Sequence, residues 1–284
     1  MGLLPLPSTS ASQSFAMCVG GVSSRDERDR LVACSAEITK WSEAYKRSGD
    51  SASYHSLRGS ASASSQERSD MRGLYKNQMV RRGSPGRPIY DAVLNSSPNG
   101  MCPYCGQSVA ATIDHYLPQS EFPFLSVTPE NLVPSCDHCN YVKRARTARC
   151  RRDAILNPYF DEVDIGEHLI AQVQHTSPPS VSFVLGQAPI GSVRIGANDL
   201  LCRLHTHFDA FQLGELYSVH AGVELSGLRR KMESLLVSGG EHAVVVFARE
   251  MHASHASART YRWKSAMYLA LSRCSWFCSG GFSF

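Results

Sequence analysis

The sequence predicts an α+β protein, mainly helical at both ends, with a small zinc-bound strand–strand–helix unit embedded between them. Three observations predict it. Apolar residues recur at three- and four-residue spacings over 26–45, 66–94, 200–236 and 259–272, the signature of helices that bury one face. Two Cys-x-x-Cys pairs, Cys102/Cys105 and Cys136/Cys139, stand thirty residues apart. Between them lie two short segments of strand character, 107–113 and 131–135, the second running into a helix at 136–143.

In chain order, residues 1–25 are Ser-rich, contain Gly20-Gly21, and read as a flexible arm. Residues 26–95 read as a helical N-terminal region. Leu31, Cys34, Ile38, Trp41 and Tyr45 form one helical face, with Asp26, Glu27 and Asp29 where a helix N-terminus favours negative charge. The Ser-rich stretch 48–69 carries little apolar mass and reads as a linker. A second helix is expected at 66–82, with Met71, Leu74, Tyr75 and Met79 buried. It is broken by Gly83, Pro85, Gly86 and Pro88 before a short helix around Ile89–Leu94. Residues 96–152 form the cysteine unit. The remainder, 153–284, reads as mostly helical, with two strands at 171–174 and 181–185 turned by Pro178-Pro179, and a helical stretch ended by Gly239-Gly240.

Composition excludes several classes. Of 284 residues, 43% are hydrophobic and 19% charged, so global disorder is not expected. No apolar run approaches the length of a membrane span, and the N-terminus lacks the basic start and long apolar core of a secretory signal; the expectation is a cytoplasmic chain. The net charge of +4 is too small to argue for nucleic acid by itself. Ten cysteines in a chain of this length do not make a disulfide scaffold. Cys18, Cys34, Cys150, Cys202, Cys274 and Cys278 read as free thiols. Cys102, Cys105, Cys136 and Cys139 have the spacing of a structural Zn2+ site. A redox Cys-x-x-C is the competing reading for either pair, but it does not explain two of them.

Asp114 and His115 close the first strand, Asn131 opens the second, and Asn140 lies in the first turn of the helix after Cys136. Adjacent strand residues point to opposite sides, so Asp114 and His115 share a site only if the backbone bends; Tyr116-Leu117-Pro118 supplies a bend. Each residue also has a plainer role. An Asp-His pair is commonly a turn, Asn131 a bulge residue, Asn140 a helix cap, and His138 an exposed spacer. Six basic residues fall between 143 and 152 (Lys143, Arg144, Arg146, Arg149, Arg151, Arg152). As a helix they would track a phosphate backbone or simply form a solvated face. A second basic group, Arg72 to Arg87, stands upstream.

The string CPYCG…ATIDHYLPQSEFPFLSVTPENLVPSCDHCNYVKR resembles the HNH endonucleases with a zinc-clamped ββα-metal finger, over roughly residues 100–146. Asp114-His115 stand for the first histidine and its acid, Asn131 for the central asparagine, and Asn140 for the second histidine, an H-N-N version. The flanks LYKNQMVRRGSPGRPIYDAVL, ILNPYFDEV and LLCRLHTHFDAFQLGELY resemble bacterial standalone members. The resemblance implies His115 as general base and a catalytic Mg2+ or Mn2+ held by Asp114 and Asn140. It also implies Asn131 as an orienting residue, with Lys143, Arg144, Arg146 and Arg149 against the DNA phosphates. The implied activity is hydrolysis of DNA phosphodiesters, in bacterial defence, restriction or mobile-element activity. The alternatives are a non-catalytic zinc module that binds nucleic acid or a partner, and an RNA-directed nuclease or toxin.

Overall fold

The computed structural model describes residues 3–59, 63–186, 197–258 and 261–283. It divides into two compact units, residues 1–163 and 164–284.

Unit 1 begins with α1 (Ala11–Gly20), capped by Ser10 and Gln13 in a reciprocal capping box. α1 buries Phe15, Cys18 and Val19, and the Ser14 hydroxyl donates to the Val127 carbonyl at 2.6 Å. Leu4 is also buried, its N–H on the Pro158 carbonyl at 2.8 Å. Residues expected as a flexible arm therefore belong to the core. Ala11, Phe15, Cys18 and Val19 fall on one helical face, a stripe masked in the sequence by the serines around it.

The next helical face is carried by two helices, α2 (Arg25–Ala33) and α3 (Ser35–Asp50), which meet at Cys34. The stretch expected as a linker from 48 to 69 is shorter than that. α3 runs through Asp50, Ser48 and Gly49 are buried, and α4 (Ser65–Leu74) starts with a second capping box, Ser64 with Glu67. Small residues pack where large ones would clash: a Cβ on Gly49 would stand 2.6 Å from the Phe160 ring. α4 continues as a π-helical turn, Tyr75–Val80, and α5 (Arg87–Asn95) packs on the strands that follow.

Those strands are β1 (Thr112–His115) and β2 (Leu132–Ser135), antiparallel, with Thr112 opposite Ser135 and His115 opposite Leu132. β2 contains Pro134, which a two-stranded sheet tolerates because each strand has an unpaired edge. α6 (Asp137–Lys143) follows directly. Ile113, Phe124, Val127 and Leu132 join the same hydrophobic core as Phe15, Leu31, Ile38, Met71 and Leu74. The finger is thus a wall of a larger core. The segment after it also stays with unit 1. Tyr116 donates to Ile155 O at 2.7 Å, Tyr159 to Leu132 O at 2.8 Å, and the Asn157 amide to the Tyr45 and Tyr54 hydroxyls at 3.0 and 2.9 Å. The boundary accordingly falls at 163/164 and not at 152/153.

Unit 2 pairs β3 (Leu169–Gln174) with β4 (Ser180–Leu185), Ala171 opposite Phe183, where two strands turned by Pro178-Pro179 were expected at 171–174 and 181–185. Then come α7 (Ala197–Ala210), α8 (Leu213–Ala258) and α9 (Arg262–Arg273). Gly239-Gly240 ends the first helical segment of α8, as expected: Gly240 takes a non-helical φ of +65°, open to glycine and costly for other residues, and beyond this kink a second helical segment runs to Ala258. Part of the expected 259–272 helix, at 259–260, lies outside the described residues. No helix among the described residues is long and apolar enough to cross a membrane.

A bidentate ion pair ties α2 to α4. Arg30 Nε and Nη2 donate to Asp70 at 2.8 and 3.1 Å, and Gln66 adds a bond at 2.8 Å. The Arg30 hydrogen bond holds the Asp70 carboxyl below its ordinary 3.8, against the opposing effect of burial. A carboxyl lowered in the folded state stabilises above its unfolded pKa and stops doing so as pH falls through its folded one. The melting-temperature gap between the parent and Asp70→Asn is therefore expected to be full at neutral pH and to shrink below about pH 4. A gap unchanged down to about pH 2, read by thermal melts, would remove the pair from the acid response.

Candidate active site

The first knuckle is a tight turn. Cys102 N–H donates to Ser108 O at 2.7 Å and Gly106 N–H returns to Cys102 O at 2.8 Å. Gly106 sits at φ +61°, the left-handed region such a turn requires. The second knuckle opens α6, with Cys136 as its N-cap. Backbone N–H groups point at sulfur in both: Ser108 N to Cys105 Sγ and Cys139 N to Cys136 Sγ, each 3.5 Å. All four cysteines are buried and their Sγ atoms lie within 4.8 Å of one another. Four thiolates at ~2.3 Å from one Zn2+ form a tetrahedron with edges of about 3.8 Å, so the donor set fits that ion. Thiol hydrogen bonding within the cluster, first from Cys102, draws Cys105 down to about 7 and lowers Cys136 as well. The same bonding pushes Cys102 and Cys139 up. Four negative sulfurs this close repel one another, and a divalent cation is what lets all four lose their protons.

Beyond the first knuckle, β1 delivers Asp114 and His115 to opposite sides, as strand geometry demands. Asp114 Oδ2 accepts the Tyr104 hydroxyl at 2.8 Å. The Lys143 ammonium lies 3.1 Å from Asp114 Oδ1 and 2.9 Å from Oδ2, and donates to the His115 carbonyl at 2.6 Å. His115 turns the other way, with Nε2 2.9 Å from the Ser126 carbonyl and its ring edge-on to Tyr75 at 4.5 Å between centroids. A carbonyl only accepts, so Nε2 carries the proton and Nδ1 keeps its lone pair. Burial, chiefly, pushes the imidazole below its ordinary 6.5. The ring is neutral at neutral pH and able to take a proton.

Asn131 is fully buried and staples the β1–β2 connection. Its Oδ1 accepts Leu117 N at 2.8 Å, and its Nδ2 donates to Leu117 O at 2.9 Å and Leu125 O at 3.3 Å. It braces the loop that presents Ser126 O and has no hydrogen bond to His115 itself. Asn140 is half-buried on α6, and its amide makes no hydrogen bond among the described residues.

Three expectations change. Lys143 is not a phosphate-contacting surface residue; its side chain is 0% exposed and bound to Asp114. Asp114 does not present a carboxylate ready for Mg2+ or Mn2+. Both oxygens are engaged, and an ammonium occupies the approach that a dication would need, so the residues as arranged do not fit the catalytic ion at this position. The basic run is not a helix. α6 stops at Lys143 because Arg144 takes φ +50°, and 144–150 form an irregular exposed loop ahead of a short 3-10 turn at Arg151–Asp153. Arg144, Arg146 and Arg149 are exposed there, with Arg144 over the Tyr141 ring. The sequence reading missed Tyr104 and Ser126 and took Tyr75 only as helix core. The one legible hint was Tyr75 on the buried stripe of its helix.

A clamp-ready cysteine tetrad, a short hairpin ending in Asp-His and a following helix define the class. Residues 102–146 match the family model for HNH endonuclease, and the chain carries an HNH-type domain there. It is 33% identical to protein ea31 of Escherichia phage lambda over 158 residues, 54% of this chain and 51% of the phage protein. It is 32% identical to Septu protein PtuB of Bacillus thuringiensis over 81 residues, 27% of this chain and 31% of PtuB. The chain thus spans about half the length of the phage protein and about a third of PtuB. No solved structure matches.

Proposed function

We propose that this chain is an HNH endonuclease that hydrolyses DNA phosphodiester bonds, with His115 as general base. One observation carries the reading: within the family-matched segment, a neutral imidazole is fixed through Nε2–H on Ser126 O, with Nδ1 left to accept a proton. In the step it performs, Nδ1 takes a proton from water, the water oxygen bonds to phosphorus, and the bond to the leaving sugar oxygen breaks in line. Asn131 holds the loop that carries Ser126 and so keeps the ring in place. HNH domains bind metal ions, and Mg2+ or Mn2+ would neutralise charge on the phosphate; no step here is assigned to Asp114 as its ligand. The relation to PtuB supports a setting in bacterial defence.

The test is conversion of supercoiled plasmid to nicked or linear forms by the zinc-loaded protein with Mg2+ or Mn2+. A second reading, a non-catalytic zinc-binding module for nucleic acid or a partner, is favoured by the Lys143–Asp114 pair, which leaves no free carboxylate. Binding without cleavage across divalent metals would select it.

The exposed loop makes a separate prediction. Replacing Arg144, Arg146 and Arg149 together by Ala should weaken duplex binding about equally across sequences. It should also reduce the slope of log K against log salt by roughly three, at ~0.9 per phosphate contact. Fluorescence anisotropy against salt reads this, and an unchanged slope would take the loop off the DNA.

A further inference from the structure

The side chain of Lys143 is 0% exposed and that of Asp114 5%, so this is an ion pair withdrawn from water. An ammonium has three protons, and the pair gives it two carboxylate oxygens and the His115 carbonyl as acceptors. Tyr104 adds its own hydroxyl to Oδ2. The carboxylate is therefore neutralised from inside the protein, by a residue one helical turn beyond Asn140.

We propose that Lys143 is the built-in counter-cation of Asp114, and that a divalent ion reaches this carboxylate only by displacing the ammonium. The inference rests on the nuclease reading, which is what calls for a divalent ion, but it concerns the resting, DNA-free protein. Two like charges do not share one buried carboxylate, so ammonium and dication compete for it. The same ammonium also donates to the His115 carbonyl, so opening the pair removes one hydrogen bond from the end of β1, which stays paired to β2.

The experiment measures Mn2+ affinity of the zinc-replete, DNA-free full chain from the electron paramagnetic resonance of free Mn2+. Asp114→Asn should bind Mn2+ as weakly as the parent, because the carboxylate is already occupied. Lys143→Met should bind more tightly, within the roughly 5- to 150-fold range of site-to-site coupling. Asp114→Asn/Lys143→Met should return to the parental value. A loss of about tenfold or more in Asp114→Asn, or no gain in folded Lys143→Met, overturns the proposal. If either single variant fails to fold, the double variant decides, because it removes both buried charges together. Parental affinity there upholds the proposal, and affinity weaker by about tenfold overturns it. These outcomes need no cleavage, so a failed plasmid assay would sink the nuclease reading while leaving them interpretable.

Discussion

His115→Ala is expected to lower the rate of plasmid cleavage by about 10²–10⁴-fold, the usual contribution of a positioned general base. The ring is the one group at the hairpin end that is neutral, held in a single tautomer, and left with an unengaged nitrogen. Its removal also has a structural side. The Ser126 carbonyl loses its donor and Tyr75 its ring contact, which together cost on the order of 1–3 kcal/mol. The comparison is therefore made well below the melting temperature, with circular dichroism showing the fold intact. Cleavage by folded His115→Ala at the parental rate would remove the base assignment.

Cys102→Ser and Cys139→Ser are expected to reduce bound zinc from about one per chain to near zero and to unfold the hairpin–helix segment. Structural Zn2+ contributes apparent free energies of about 10–16 kcal/mol in small zinc-finger peptides, comparable to the whole stability of about 5–15 kcal/mol that a domain usually has. The consequence reaches further than the knuckles. Tyr104 lies inside the first and α6 begins in the second, so both partners of Asp114 are placed by the cysteines. Ile113 and Leu132 also belong to the main core of unit 1, and losing the clamp should lower the stability of that unit as a whole. Elemental analysis with limited proteolysis reads both effects. A metal-free protein that stays folded and protease-resistant across 100–146 would show that the tetrad is not a structural zinc site.

The unequal legibility of this chain has local causes. The cysteine pairs, the second hairpin strand, α4, α5 and the β3–β4 pair were readable because each is specified locally, by ligand intervals, an apolar run between turn residues, or a helical stripe. The first hairpin strand was placed too early, at 107–113, on the alternation of Val109, Ala111 and Ile113; it runs from Thr112 to His115, and Val109 is exposed beside the first knuckle. α1 was misread because its apolar face is diluted by serines and small residues. The 48–69 stretch was misread because Gly49 and Tyr54 are small or isolated in sequence yet sit against Phe160 and Asn157 from the far end of the unit. The break at Gly239-Gly240 was readable because a Gly-Gly pair ends a helix, and the structure kinks there at φ +65°; the helical segment that resumes beyond it to Ala258 was not read.

The same division runs through the site. Residue types and their intervals alone determined that four sulfurs could meet on one ion and that an Asp-His pair would end the adjoining strand. Which way those two side chains face, and what meets them, was decided by packing. Lys143 looked like the first of a row of solvent-facing bases. It became an internal charge because α6 ends at Arg144 and turns position 143 onto β1. A charge finds its partner through space, over twenty-nine residues in this case, and no local pattern along the chain records that distance.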